Sequence, residues 1–155
     1  YFGFIEASFL LQADRQVRTT AATLGDLVSR TESVGYCEIE DVFSATRMII
    51  NTKDRSKIHL RLTSVYAKNS NTYVDWSHVR GTKMSAHPKN EVYDIDDDLL
   101  VNDESVIVAE VVYEFDSALG YFIRDIKEMR QQYILRPRVS DDVEWTGPTS
   151  DPGNC

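Results

Sequence analysis

Cysteine is scarce in this 155-residue chain: only Cys37 and Cys155 occur, with no CxxC pair and no spacing that suits a metal ion. That excludes a thiolate-built zinc site. Basic residues are outnumbered, 17 against 25 acidic, for a net charge of -8 and a pI of about 4.8. An acidic surface repels phosphate backbones, so nucleic acid is not expected as a partner. No basic amphipathic stretch suits lipid headgroups, no GxSxG occurs, and no glycine-rich loop is present to cradle a phosphate. Also missing is an apolar run of the roughly 20 residues that cross a bilayer. The opening stretch, Tyr1 to Leu11, is nearly all apolar and aromatic, but Gly3 and Glu6 break it and no basic segment precedes it. It reads as the tail of a longer hydrophobic helix whose beginning is missing. No internal repeat and no low-complexity segment interrupts the chain.

What remains is an ordinary globular balance, 42% hydrophobic and 27% charged, in a length that fits one domain with a real core. From Ala7 to Arg30 there is no proline, and Gly25 is the only glycine. Leu10, Val17 and Leu24 recur every seven residues, with Asp14, Ala21 and Val28 four positions after each. This predicts a helix with a narrow apolar seam, weakened at Asp14 and capped near Val34-Gly35. A second helix is expected from about Glu38 to Asn51, where Ile39, Val42, Phe43, Thr46, Ile49 and Ile50 keep helical spacing and acidic residues open the first turn. Strands follow. Ile58, Leu60 and Leu62 alternate with His59, Arg61 and Thr63; Thr72 to Val79 is the hairpin partner, with Val74 and Trp76 on one face. The strongest strand is Ser105 to Phe115, with Ile107, Ala109, Val111, Tyr113 and Phe115 on one face. Lys127 to Arg138 is the last, with Tyr133 and Leu135 inside. Helices followed by strands predict an α+β fold: a long N-terminal helix and a second helix packed on an antiparallel sheet of three to four strands. The expected divisions are 1–35 for the helix, 36–139 for the globular part and 140–155 for a loop tail.

Two stretches carry a family resemblance. Tyr1 to Leu11 (YFGFIEASFLL), continued by DRQV at 14–17 and TTAATLGDLVSR at 19–30, resembles the second half of the N-terminal helix of TadE-like proteins of tight-adherence (Tad) pilus systems. Ser105 to Tyr113 (SVIVAEVVY), then Gly120-Tyr121-Phe122 and Arg136-Pro137-Arg138, resembles that family's late strand and Arg-Pro-Arg ending. The resemblance implies a pilin-like fold and a minor pseudopilin or pilus assembly factor, with no enzymatic activity. It further implies an inner-membrane anchor, supplied by the missing N-terminal helix, and a periplasmic domain. The implied partners are other pilin or pseudopilin subunits and the inner-membrane pilus assembly machinery. The family's processing signal places a glycine at the cut and a glutamate five residues into the mature chain. Gly3 and Glu6 are spaced differently, so Glu6 is not assigned that role. The expected assembly surface comprises Phe2, Phe4, Ile5, Phe9, Leu10 and Val17. An extracytoplasmic location and a paired count suggest a Cys37–Cys155 disulfide; the alternative is two free thiols, Cys37 buried and Cys155 loose.

Other chemistry is weaker. His59 and His78 fall on neighbouring strands and could meet, although surface strand positions are the plainer expectation. Trp76 and Trp145 read as packing residues. Asp94, Asp96, Asp97, Asp98, Asn102, Asp103 and Glu104 gather hard oxygen ligands, and Asp94, Asp96 and Asp98 alternate as in some calcium loops. The EF-hand glycine and terminal glutamate are not at the required offsets, so no metal or other cofactor is expected. A calcium-stabilised extracytoplasmic ligand-binding or adhesion module is the alternative function.

Overall fold

A computed structural model of the chain describes residues 1–95, 100, 103–117 and 127–155. Helix α1 runs Phe2–Ser29 and α2 runs Tyr36–Thr46. Strands β1 (Ser33–Val34), β2 (Ile58–Lys68), β3 (Asn71–Arg80), β4 (Ser105–Phe115), β5 (Lys127–Leu135) and β6 (Glu144–Trp145) form two sheets. The larger is four-stranded in the order β3-β2-β4-β5, antiparallel throughout. The smaller pairs β1 with β6 in parallel. The fold is therefore α+β, with both helices on one face of an antiparallel sheet.

Helix α1 buries Ala13, Val17, Ala21, Leu24, Gly25 and Val28, one or two residues per turn. The seam runs through Ala13 rather than Asp14. Asp14 lies at its edge, in an ion pair with Arg18 at 3.0 Å and accepting a hydrogen bond from Gln131 Nε2 on β5 at 3.2 Å. Facing this seam are Ile58, Leu60 and Leu62 of β2 and Ile107, Ala109, Val111, Tyr113 and Phe115 of β4. Their alternation and their cross-strand register agree, since Leu60 lies opposite Val111 and Leu62 opposite Ala109. The helix lies closest to the sheet at Gly25. A Cβ there would stand 2.2 Å from Leu135 Cδ1 and 3.3 Å from Ala109 Cβ.

Several sequence expectations need correction. Val74 and Trp76 do not share a face. The β2–β3 register shifts between Ser64 and Val65, so Ser64 lies opposite Trp76 but Val65 lies opposite Val74. The bulge at Asp75 reverses the alternation, leaving Trp76 in the helix-side core while Val74 is buried beside Val65. Tyr133 is 45% exposed, because β5 is an edge strand that α1 covers only in part. Helix α2 ends at Thr46 instead of Asn51, where the Thr46 hydroxyl bonds back to Val42 O at 2.8 Å and turns begin. Gly35 does not cap α1. It is the N-cap of α2, donating its N–H to Glu38 Oε2 at 3.1 Å.

The far face of the sheet is also covered. Val106 and Val108 of β4 and Val65 of β2 pack with Ile95, Tyr93 and Leu100. Backbone bonds from Val74 N to Glu91 O (2.9 Å) and from Tyr93 N to Thr72 O (3.0 Å) lay this segment along the β3 edge, which occupies pairing groups that an edge strand otherwise presents. The β2–β3 hairpin turns on Asn69 and Ser70, both with positive φ (52° and 61°), the conformation a two-residue turn between twisted strands requires.

The close approach at Gly25 gives a graded test. Gly25→Ala should be nearly neutral, because Leu135 can rotate away and helix propensity returns about 1 kcal/mol. Gly25→Val should cost about 2–3 kcal/mol by overpacking against Ala109. Chemical denaturation of both variants measures the difference; equal stabilities would contradict the packing described.

Candidate functional site

The first turns of α1 differ from the rest. Beyond Ala13 the helix has one buried face. Before it, only Glu6 is buried, and Ser117 Oγ donates to its Oε1 at 2.9 Å. Phe2 and Phe9, seven residues apart, share one side; Phe4 and Leu11 share another, about 160° away at 3.6 residues per turn. All four are exposed, Phe4 at 79% and Leu11 at 62%. Ile5 and Leu10 are half-buried. Val17 leaves the expected surface altogether: it is 0% exposed, inside the helix–sheet core. Among the described residues, no helix is long and apolar enough to cross a membrane.

Cys37 and Cys155 are joined, with Cα atoms 5.3 Å apart across a sequence separation of 118. The bond ties the chain's last residue to the first turn of α2. The tail is not all loop, as expected, because β6 pairs with β1 and Val143 is fully buried. Trp76 Nε1 donates to Val143 O at 2.7 Å, and the Trp76 and Trp145 rings lie 5.5 Å apart. Both tryptophans pack, as their sequence setting suggests.

The two strand histidines neither meet nor lie at the surface. His59 is on the far face, 2% exposed; His78 is on the helix face, opposite Leu62. His59 Nδ1 accepts the Thr82 N–H at 3.1 Å, so its proton sits on Nε2 and is donated to Glu114 Oε2 at 3.1 Å. Gly81 makes this possible. Its φ is +113°, and a Cβ would stand 2.3 Å from His59 Nδ1. Glu114 also pairs with Lys83 at 3.0 Å, and Lys83 with Glu128 at 2.9 Å. Beside them Arg61 makes a two-pronged contact with Glu110, at 2.6 and 2.8 Å, and donates to Ser85 O at 2.9 Å. His78 Nε2 bonds Glu40 Oε1 at 2.9 Å and its ring stacks on Phe43. Both nitrogens of His59 are thus engaged in holding β2, β4 and the covering segment together. Arg136 and Arg138 pair with Glu104 and Asp26 at 3.2 and 3.1 Å.

Of the weak calcium candidates, Asp94 is described, and Asp96 and Asp98 lie outside the described residues. Among the described residues no group of three or more His, Cys, Asp or Glu side chains could hold a metal ion. Gly120-Tyr121-Phe122 also lies outside the described residues. No family model, no curated protein and no solved structure matches the chain.

Lys83 lowers the pKa of both carboxylates it bonds, Glu114 (with His59 assisting) and Glu128 (with Arg130 assisting), and they in turn raise its own, Glu128 most. A depressed carboxylate contributes stability above its unfolded pKa of about 4.3, and this is lost as pH falls through the folded value. A raised lysine contributes below about 10.4, and this is lost as pH climbs through the folded value. Lys83→Met should therefore flatten the stability profile at both the acid and alkaline ends while leaving α1 packing intact. Thermal unfolding from about pH 2 to about pH 11 reads this directly; an unchanged profile would show that screening removes the effect.

The disulfide closes a long loop. In the chain-entropy model such a bridge is worth about 4–5 kcal/mol, and about 2–4 is commonly seen. The Cys37→Ser, Cys155→Ser double variant should stay folded, unfold at lower temperature, and lose residues after β6 to protease first. Calorimetry and mass mapping of limited digests check both.

Proposed function

We propose that this chain is the periplasmic domain of a minor pseudopilin or assembly factor of a Tad-type adhesion pilus, a non-enzymatic subunit that works through protein–protein contacts. The observation that carries the reading is the apolar character of the first turns of α1 on opposite sides. One apolar stripe is satisfied by one sheet. A helix that is apolar all round needs neighbours all round, in a core, a bilayer or a bundle of other helices. Phe2 and Phe9 on one side and Phe4 and Leu11 on the other give this segment two faces for other subunits. The globular part supplies a rigid body on which such a helix can be carried. The sequence resemblance to TadE-like proteins is what suggests the family, an inner-membrane anchor, and pilin or pseudopilin subunits and the assembly machinery as partners. A Cys37–Cys155 bond suits an oxidising compartment.

Replacing Phe4 and Leu11 with serine removes two large apolar anchors, worth about 1.5–3 kcal/mol each when fully buried. Association of the chain with itself or its pilin partners should weaken by more than about a hundredfold, with the unfolding temperature unchanged. Analytical sedimentation, and filament counts on cells carrying the variant gene, test this. Cells that lack the gene and still assemble normal filaments would overturn the proposal.

A further inference from the structure

The two edges of the four-stranded sheet differ. The β3 edge is overlaid by the segment that bonds it through Glu91 and Tyr93. The β5 edge is open: β4 lies on one side, and among the described residues no strand pairs with the other. In an antiparallel pair only alternate residues turn their N–H and C=O groups toward the neighbour, so the rest of those of β5 point outward along the edge. Few of the devices that protect an edge strand are present. The strand is nine residues long, keeps an unbroken register with β4 from Lys127 to Leu135, and holds no proline. Its charges stop at Arg130. Gln131 to Leu135 is uncharged, with Tyr133 45% and Ile134 36% exposed.

Five arginines surround this edge, all paired in the same sense. Arg18 pairs with Asp14, which also accepts from Gln131 of β5. Arg30 and Arg138 share Asp26, Arg130 pairs with Glu128, and Arg136 with Glu104. In every pair the cation lies outside: the arginine side chains are 55–62% exposed and their carboxylates 30–39%. A partner approaching β5 therefore meets guanidinium groups, on a chain whose net charge is -8. The planar guanidinium fork matches a carboxylate. Arg130 lies on the far face of the strand, opposite Val112, while Arg18 stands over the helix face. A strand laid against β5 puts successive side chains on these two faces in turn, so acidic side chains of either parity find an arginine.

We infer that the β5 edge docks an acidic segment in extended conformation, which adds to the sheet as a further strand. The outward backbone groups of β5 supply the ladder, the arginines select carboxylates, and Tyr133 and Ile134 give apolar contact. A second copy presenting its own β5 is disfavoured, because the two sets of arginines would face each other. A nucleic acid offers no ladder to the open strand and is repelled by the acidic remainder of the chain. The site is independent of the apolar start of α1 and of the proposed pilus role.

The test is amide NMR of the chain titrated with a peptide of alternating glutamate and threonine, as long as β5. Resonances of Gln131 to Leu135 should shift saturably, and the outward amides should gain protection from hydrogen exchange. The Arg18→Gln, Arg130→Gln double variant removes one guanidinium from each face. It should keep its amide spectrum, since exposed pairs contribute little to folding, and bind the peptide about tenfold more weakly. Absence of saturable shifts overturns the inference, as does undiminished affinity in the double variant. Equal binding of a peptide with proline in place of threonine, which has the same charge but cannot form a ladder, overturns it in favour of charge attraction alone. Equal or tighter binding at these resonances of the peptide with lysine in place of glutamate, or of oligothymidylate of the same length, overturns it as well.

Discussion

The separation between α1 and the centre of the sheet is set where Gly25 lies over Ala109 and Leu135. A larger residue at that point has to be accommodated by Leu135 turning aside or by the helix lifting, which loosens the packing of Ala21, Leu24 and Val28 on Leu60, Leu62 and Val111. Burial of such side chains is worth about 1.5–3 kcal/mol each, so the close approach at Gly25 tightens the core. It also fixes the helix direction. With the second half clamped along β4 and β5, the first turns run on with Phe4 and Leu11 in solvent. Exposure of the apolar end is thus a consequence of the clamp.

Strand β4 feels the second half of the constraint. It is central in the sheet and covered on both sides, by α1 on one and by the segment leading to Ile95 on the other. Its run Val106-Ile107-Val108 suits a strand with no wet face. On the far face of β2 and β4, Arg61, Glu110, Glu114 and His59 are each engaged with one another or with Lys83 and Ser85. This follows the rule that polar groups taken out of water must find partners. The covering segment is held as much by these bonds as by apolar packing, which explains how so irregular a stretch stays on the sheet.

The parts of this fold that were legible in the sequence are those governed by local periodicity. The seam of α1, the alternation of Ile58, Leu60 and Leu62, and the shared face from Ile107 to Phe115 depend only on 3.6- and 2-residue repeats. The errors occur where one residue resets the count or where a partner lies far away in the chain. A bulge at Asp75 moves Val74 to the other face, and nothing local marks it. Tyr133 is exposed because of the position of β5 at the sheet edge, a property of topology. His59 is buried only because Gly81 lets the backbone cross its ring. The contact of Trp76 with Trp145 was illegible for the same reason, since it joins a strand to the tail. A positive-φ glycine next to a strand end and a tryptophan in a tail are the signals that could have pointed to these places.

The tail shows how a segment without a core of its own is placed. Beyond Val143 and the half-buried Trp145 every residue to Cys155 is exposed, so apolar burial contributes little to ordering it. Ordering each backbone residue costs about 1–2 kcal/mol. Three attachments offset this: the parallel pairing of β6 on β1, the Trp76 bond to Val143, and the covalent link from Cys155 to Cys37. The first two hold Val143 and Trp145; the third limits how far the remaining ten residues, 146–155, can wander. The disulfide therefore restrains the tail from its far end, while the pairing of β6 and the Trp76 bond fix its start.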